Sequence, residues 1–176
     1  HDSRDIKFYD PDQRALIPID NTLGRGVHIP RRLQRQIRQA PYAVTINQDF
    51  TAVIDACATL SDQREDTWIN RDIRRLYIAL HKMGFAHSVE VWLEGALVGG
   101  LYGVALRAAF FGESMFTRKS DASKIALVHL MARLRHGRFL LLDAQFTNEH
   151  LQQFGITEID RANFQDRLAG ALFTEA

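Results

Sequence analysis

Two short segments of the chain carry acidic and amide side chains in apolar surroundings, a setting in which proteins build acid–base chemistry. The first, residues 112–116, contains Glu113, and the second, residues 141–145, contains Asp143 and Gln145. Because side chains alternate along a strand, Asp143 and Gln145 are expected on one face. A carboxylate beside an amide can hold and polarise an amine or a carbonyl group. The alternative is that Glu113 and Asp143 cap helices or pair with arginines, since a buried carboxylate needs a partner.

Periodicity and turn signals predict the elements that would position these segments. Three consecutive strands are predicted at residues 88–93, 96–105 and 108–116. Glu94-Gly95 predicts a tight turn between the first two, and Gly99-Gly100 predicts a bulge or a close approach of another segment. Further strands are predicted at 43–46, 139–145 and 157–159, and further helices after Pro30, after the capping residues Asp49, Asn70 and Asp121, and at 148–154 and 163–173.

This order of elements predicts the fold class. An antiparallel meander followed by a helix and another strand is typical of an α/β (α+β) domain with an acetyltransferase-like (GNAT-like) core, in which helices flank a central, mostly antiparallel sheet. In that fold the strands around the central helix separate and leave a cleft for a ligand. Prolines and glycines predict an irregular lead-in over residues 1–28. We expect a GNAT-like domain over residues 29–176, preceded by this lead-in.

Composition limits the class of protein. At 176 residues, with 24% charged residues, the chain suits one globular domain with a sizeable core. The single cysteine, Cys57, excludes an internal disulfide, fits a reducing compartment and is expected to be a buried structural thiol. The histidines show no metal-ligand spacing, so no metal is expected. No apolar run reaches the roughly 20 residues of a membrane-spanning helix.

The formal net charge of +1 conceals two basic clusters. A surface of one sign suits a polyanionic partner such as a nucleic acid. The alternative is an ordinary solvated helix face, which the charges by themselves favour. The clusters comprise Arg25, Arg31, Arg32, Arg35 and Arg38, and then Arg118, Lys119, Lys124, Arg133, Arg135 and Arg138.

Several short blocks carry a more specific signal: YDPDQR (9–14), HIPR (28–31), TWI (67–69), GFAHS (84–88), SVEVW (88–92), LVGGLYGVA (97–105), GESMF (112–116), DASK (121–124) and LDAQ (142–145). In this order, and over nearly the whole chain, they resemble the leucyl/phenylalanyl-tRNA–protein transferase family. Family members usually carry a further N-terminal portion, so we expect residues 1–28 to include its remnant.

The resemblance implies an enzyme and a reaction. It implies transfer of Leu or Phe, and in some members Met, from aminoacyl-tRNA to the α-amine of proteins that begin with Arg or Lys, which marks them for N-end-rule degradation in the cytoplasm. Because the amine attacks an activated ester, the enzyme mainly positions two reactants and manages one proton. The resemblance implies no cofactor and no membrane partner, and we expect a monomer.

The resemblance also gives catalytic or substrate-positioning importance to Asp143, Gln145 and Glu113. Our hypothesis is that Asp143 accepts or relays the proton of the attacking amine, with Gln145 orienting it. Glu113 would anchor the amino group of the transferred residue or the terminal ribose. An alternative is that Asp143 recognises the cationic side chain of the acceptor protein.

Three binding regions follow from the same resemblance. Taken without it, the pocket positions would be ordinary core, and Tyr77 fits the buried face of its helix. Trp68 and Tyr77 match positions near the terminal adenosine, where stacking can hold a base. The aminoacyl side-chain pocket matches Leu101, Phe110, Leu127, Leu130, Leu134 and Leu142. The tRNA backbone would be followed by Arg31, Arg32, Arg35, Arg38, Arg118, Lys119 and Lys124.

Two other classes fit parts of the pattern. An acyl-CoA-dependent N-acetyltransferase would share the fold, but such enzymes bind a pyrophosphate on a glycine-rich turn that opens the central helix. Residues 117–123 contain no glycine and place an acid, Asp121, at the start of that helix. A non-enzymatic RNA-binding module would explain the basic clusters but not the polar residues of the two segments.

Overall fold

The computed structural model describes residues 9–39, 41–59 and 67–174, which form one mixed sheet with helices on both faces. Its strands are β1 (Gln13–Leu16), β2 (Ala43–Ile46), β3 (Ala86–Leu93), β4 (Ala96–Leu106), β5 (Ala109–Thr117), β6 (Leu141–Gln145) and β7 (Thr157–Asp160). Its helices are α1 (Arg31–Gln39), α2 (Phe50–Ala58), α3 (Arg71–Lys82), α4 (Ala122–His136), α5 (Glu149–Gln152) and α6 (Arg161–Leu172).

The strand order is β2-β3-β4-β5-β6-β1-β7. Neighbouring strands run antiparallel, except that β5 and β6 are parallel. The mostly antiparallel α/β sheet predicted from the sequence is therefore confirmed. The predicted turn is confirmed too, since Glu94 and Gly95 have φ of +51° and +79°, as a type I′ hairpin turn requires.

Alternation along β4 sets up two layers of core. Leu101 points to the face covered by α4 and α1, where it clusters with Leu127 and Leu33. Tyr102 points to the opposite face, where it packs with residues of α2 and α3. Cys57 of α2 is buried in this second cluster, as predicted. The sheet thus sits between two apolar layers, with the site segments of β5 and β6 near its middle.

Gly99 lets α4 lie close against the sheet. A Cβ atom built on Gly99 would lie 2.5 Å from the Cβ of Ala122, the first residue of α4. Such a contact is too short for any real side chain, so the helix start would have to move. The close approach predicted at Gly99-Gly100 is confirmed.

The helix caps are partly as predicted. Asp49 accepts a hydrogen bond from the Ala52 N–H, and Asn70 accepts from Asp72 and Ile73. The cap predicted at Asp121 for α4 is wrong, because its side chain makes no capping hydrogen bond and its φ is +64°. Its carboxylate instead pairs with Arg32 of α1 and with Lys124 in the first turn of α4. The side chain therefore joins α1 to α4 and does not cap the helix.

Within the predicted irregular lead-in, residues 9–12 and 17–28 form no helix or strand, but Gln13–Leu16 form the unpredicted strand β1. β1 lies between β6 and β7, and Ala15 and Leu16 are buried. A four-residue strand followed closely by a proline is too short for alternation to reveal. Residues 1–8 lie outside the described part of the chain. The lead-in therefore contributes directly to the sheet beside one of the site segments.

Candidate active site

The two site segments lie side by side where β5 and β6 separate. Their parallel pairing ends at Phe111 and Asp143. One step further, β4 pairs Tyr102 with Ser114 and Gly103 with Gly112, which leaves Glu113 as an extra residue in β5. Such a bulge bends a strand and redirects its side chains. It places both Glu113 and its neighbour Ser114 at the opening.

A cavity of about 300 Å³ lies in this opening. Its apolar wall includes Leu101, Leu127, Leu130 and Leu142, which are four of the six positions matched to the aminoacyl pocket. The other two, Phe110 and Leu134, do not line it but lie in the core cluster directly around those leucines. Its polar wall consists of Glu113, Ser114, Asp143 and Asn148.

Asp143 is fully buried and held through both carboxylate oxygens. Oδ2 accepts a hydrogen bond from the guanidinium of Arg14, and Oδ1 accepts one from the Gln145 backbone N–H at 2.8 Å. The carboxylate therefore sits in an ion pair and closes a short turn over residues 143–145.

Gln145 links the two segments. Its side-chain Nε2 donates to Glu113 Oε2 at 3.2 Å and to the Gly112 carbonyl at 3.1 Å. Its φ is +64°, a left-handed conformation that costs a non-glycine residue free energy and is concentrated at functional sites. Regular strand alternation therefore does not by itself set the direction of the Gln145 side chain. The turn at Asp143 positions the amide instead.

Glu113 is the carboxylate most strongly perturbed at the cavity. Burial raises its pKa above the ordinary range, and the charge of Asp143 adds to this effect. Hydrogen bonds from Tyr77 and Gln145, and the charge of Arg14, act in the opposite direction. A carboxyl group with a raised pKa that lines a cavity is suited to exchange a proton with a bound reactant.

Tyr77 and Trp68 flank this carboxylate from the α3 side. Burial, and then the charge of Glu113, raise the pKa of the Tyr77 hydroxyl, so it stays protonated and hydrogen-bonds to Glu113. The Tyr77 ring is enclosed by edge-on contacts to Trp68 and Tyr102, with centroids 6.2 Å and 5.2 Å apart. Trp68 lines the cavity and is 46% exposed. Of the two residues matched to the adenosine site, Trp68 offers the open ring face.

The two basic clusters meet at the start of α4. Arg32 and Lys124 share the carboxylate of Asp121, and Gln36 of α1 donates to the Ser120 carbonyl at 3.4 Å. Lys124 is half-buried, and the other six residues matched to the tRNA backbone lie on the surface of α1 and of the turn before α4: Arg31, Arg32, Arg35, Arg38, Arg118 and Lys119. The helix α1 and the turn before α4 therefore form one basic surface.

Arg14 and Asn148 belong to the site but were not singled out from the sequence. Arg14 lies in the unrecognised strand β1 and contacts Asp143 from 129 positions away. Asn148 lines the cavity while its Oδ1 accepts the Leu151 N–H at 3.0 Å and caps α5. The available signals for Arg14 were its place directly before the apolar run 15–17 and at the end of the YDPDQR block, neither of which gives it a role.

No group of three or more His, Cys, Asp or Glu side chains that could hold a metal ion occurs in residues 9–39, 41–59 and 67–174. Over the same residues, no helix is long and apolar enough to span a bilayer.

Comparison with known proteins identifies the family. The family model for leucyl/phenylalanyl-tRNA protein transferase matches residues 23–169. A leucyl/phenylalanyl-tRNA–protein transferase of Maricaulis maris is 56% identical over 97% of this chain and 77% of its own, and one of Paramagnetospirillum magneticum is 53% identical over 97% and 79%. A conserved Staphylococcus epidermidis protein of unknown function aligns at a TM-score of 0.49 and 9% identity, over 84% of this chain and 57% of its own, too distant to assign a fold family. On the family match and these identities, the chain belongs to the leucyl/phenylalanyl-tRNA–protein transferase family.

Proposed function

We propose that this protein moves Leu or Phe, with Met as a further donor, from aminoacyl-tRNA to the N-terminal α-amine of proteins that begin with Arg or Lys. The observation that carries the proposal is the hydrogen-bonded cluster of Glu113, Gln145 and Asp143, of which Glu113 and Asp143 line a largely apolar cavity. An apolar wall suits the transferred side chain, and the polar wall suits an ester and an amine. A donor carried on tRNA places the reaction in the cytoplasm, where the tagged proteins would enter N-end-rule degradation.

We assign the sheet to the acetyltransferase (GNAT-like) fold, with residues 29–176 as the catalytic domain and β1 joined to it. The parallel pair β5 and β6, which separates beside α4, supports this assignment. The start of α4 argues against a coenzyme A enzyme, because Asp121 places a negative charge at the helix end where a pyrophosphate would bind.

The cavity is the proposed pocket for the transferred side chain. About 300 Å³ lies at the lower end of the range for small-molecule sites. Leu101, Leu127, Leu130 and Leu142 would contact the side chain directly, and Phe110 and Leu134 would support them from behind. Discrimination by a single methylene in such a pocket is worth only about 1–3 kcal/mol, which is consistent with a family that accepts both Leu and Phe.

We revise the division of labour among the polar residues. Asp143 is engaged by Arg14 and by the Gln145 N–H, which supports a holding role over proton transfer or recognition of a cationic acceptor. Glu113 is the better proton acceptor, because it lines the cavity and its pKa is raised. Gln145 then orients Glu113.

In the proposed reaction, the neutral amine attacks the ester carbonyl carbon and a C–N bond forms. The amine proton passes to Glu113, the bond from the carbonyl carbon to the ribose oxygen breaks, and Glu113 returns the proton to that oxygen. A peptide bond and free tRNA result, and the carboxylate is regenerated. Trp68 would stack on the terminal adenosine, and the basic surface would follow the phosphates.

The test is to mix the protein with leucyl-tRNA or phenylalanyl-tRNA and a peptide that begins with Arg. We expect a peptide extended by Leu or Phe, no product from the same peptide with an acetylated N-terminus, and a loss of about 10²–10⁴-fold in kcat for Glu113→Gln. Binding of charged tRNA without any extended peptide would identify a non-enzymatic RNA-binding module and overturn the proposal.

A further inference from the structure

Arg14 is placed to control the geometry of the site without touching the cavity. It lies in β1, where Arg14 pairs with Ile159 of β7 and the next residue, Ala15, pairs with Gln145 of β6. Its guanidinium donates to Asp143, and the two side chains are 12% and 0% exposed. The ion pair is therefore almost completely removed from water.

Because the ion pair is buried, neither Arg14 nor Asp143 can lose its partner without a large cost in free energy. A buried carboxylate without a cation is strongly unfavourable, so Arg14 fixes where the Asp143 carboxylate can lie. The other Asp143 oxygen then accepts the Gln145 N–H at 2.8 Å and holds Gln145 in its left-handed conformation. That conformation directs the Gln145 amide to Glu113 at 3.2 Å.

A second element seats the guanidinium. The ring of Phe164 in α6 lies 4.6 Å from the guanidinium carbon of Arg14, a cation–π distance. The Arg14 Nε is buried and has no hydrogen-bond partner among the described residues. Among the described residues, the Asp143 carboxylate and the Phe164 ring therefore hold the guanidinium, and α6 connects to the site through it.

We propose that Arg14, seated by Phe164, is a positioning residue for the transfer reaction: through Asp143 and the Gln145 backbone it holds the amide that orients Glu113. The inference rests on the proposed function of Glu113, Gln145 and Asp143. It extends the site to β1 and α6, the elements furthest along the chain from each other.

The experiment compares Arg14→Ala, Arg14→Lys and Phe164→Leu by kcat, KM for charged tRNA, tRNA binding and the pH–rate profile. For Arg14→Ala we expect kcat to fall about 100-fold with tRNA binding unchanged, since a misplaced reacting group costs about that much. Lysine keeps the positive charge but lacks the planar guanidinium with its fixed set of N–H donors. Arg14→Lys should therefore recover only part of the kcat lost in Arg14→Ala. Phe164→Leu should lower kcat less, in the same direction.

Two readouts separate positioning from simple stability. The Arg14 charge lowers the pKa of Glu113, so removing it should raise that pKa and move the acidic limb of the pH–rate profile to higher pH. Millimolar guanidinium should restore activity to Arg14→Ala but not to Glu113→Gln. Arg167→Ala is the matched control, because Arg167 is an exposed arginine of α6 that bonds Asn163 of the same helix and lies outside this relay. It should keep the parental kcat and pH profile.

The outcomes are distinguishable. If the parent protein extends the peptide and folded Arg14→Ala does so within twofold, with an unmoved pH profile and no effect of guanidinium, this inference is wrong and the proposed function stands. If Arg14→Ala does not fold, the same test is made with Arg14→Lys and Phe164→Leu. A lowered kcat with a moved pH–rate profile supports the inference, and parental values of both overturn it. If the parent makes no product, the proposed function itself fails.

Discussion

Two carboxylates lie at one cavity, and their surroundings give them different properties. Asp143 has a cation on one oxygen and a backbone N–H on the other, and it is completely buried. Among the residues that the structure describes, Glu113 accepts hydrogen bonds from two neutral donors, Tyr77 and Gln145, and it lines the cavity. Since burial among neutral groups disfavours the charged form, the pKa of Glu113 is raised. Asp143 is instead fixed in place by the two partners on its carboxylate oxygens.

This difference predicts opposite phenotypes for matched amide variants. Asp143→Asn leaves the Arg14 charge buried without its anion, so we expect the free energy of unfolding to fall by about 3–5 kcal/mol. Glu113→Gln removes no ion pair and should change stability by less than about 1 kcal/mol while abolishing most of the activity. Urea unfolding followed by circular dichroism measures both. Equal losses of stability in the two variants would contradict the assigned roles.

The elements divide into those that local signals predict and those that they do not. The caps at Asp49 and Asn70 and the turn at Glu94-Gly95 depend on residues a few positions apart, so the sequence suffices for them. The cap predicted at Asp121 rests on the same local reasoning, but Arg32, 89 positions away, holds that carboxylate. Local signals do not predict the role of Arg14, because its strand forms only by pairing with β6 and β7, which are distant in sequence. They do not predict the bulge at Glu113 either, because the register of a strand depends on the strand it pairs with.

The contact between β4 and α4 supports a prediction for a single glycine. Gly99→Ala would place its Cβ 2.5 Å from the Cβ of Ala122 and 2.9 Å from the Ala122 carbonyl carbon. Because backbone must move to relieve this overlap, we expect a loss of about 1–3 kcal/mol of unfolding free energy. Gly170→Ala in α6 is the control, since nothing among the described residues lies within 4 Å of its built Cβ. It should gain about 0.5–1 kcal/mol from helix propensity. If Gly99→Ala left the free energy of unfolding in urea unchanged, the start of α4 would be able to move away from β4 without cost.

At the scale of the whole molecule, charge is nearly balanced but unevenly placed. The formal net charge is only +1, yet the arginines of α1 lie beside the turn that opens α4. Part of this charge is already neutralised, because Arg32 and Lys124 pair with Asp121. Arg35, also on α1, lines the shallow surface pocket beside Asp121 but forms no ion pair with that carboxylate. Among the described residues Arg35 forms no ion pair at all, so we expect it to contribute more than Arg32 to binding a polyanion.

Arg35 consequently gives the sharpest test of how charged tRNA is held. Loss of one phosphate contact should weaken binding and reduce the slope of log affinity against log salt by about 0.7–0.9. Arg35→Gln should show this change while its kcat at saturating charged tRNA stays at the parental value, since Arg35 lies outside the cavity. Arg167→Gln is the control, because Arg167 is exposed on α6 and bonds Asn163 of the same helix at 2.9 Å. The measurement is a titration of labelled tRNA at several salt concentrations. If both variants lose affinity equally, binding reflects overall charge; if Arg35→Gln keeps the parental slope, the basic surface of α1 does not contact the phosphates.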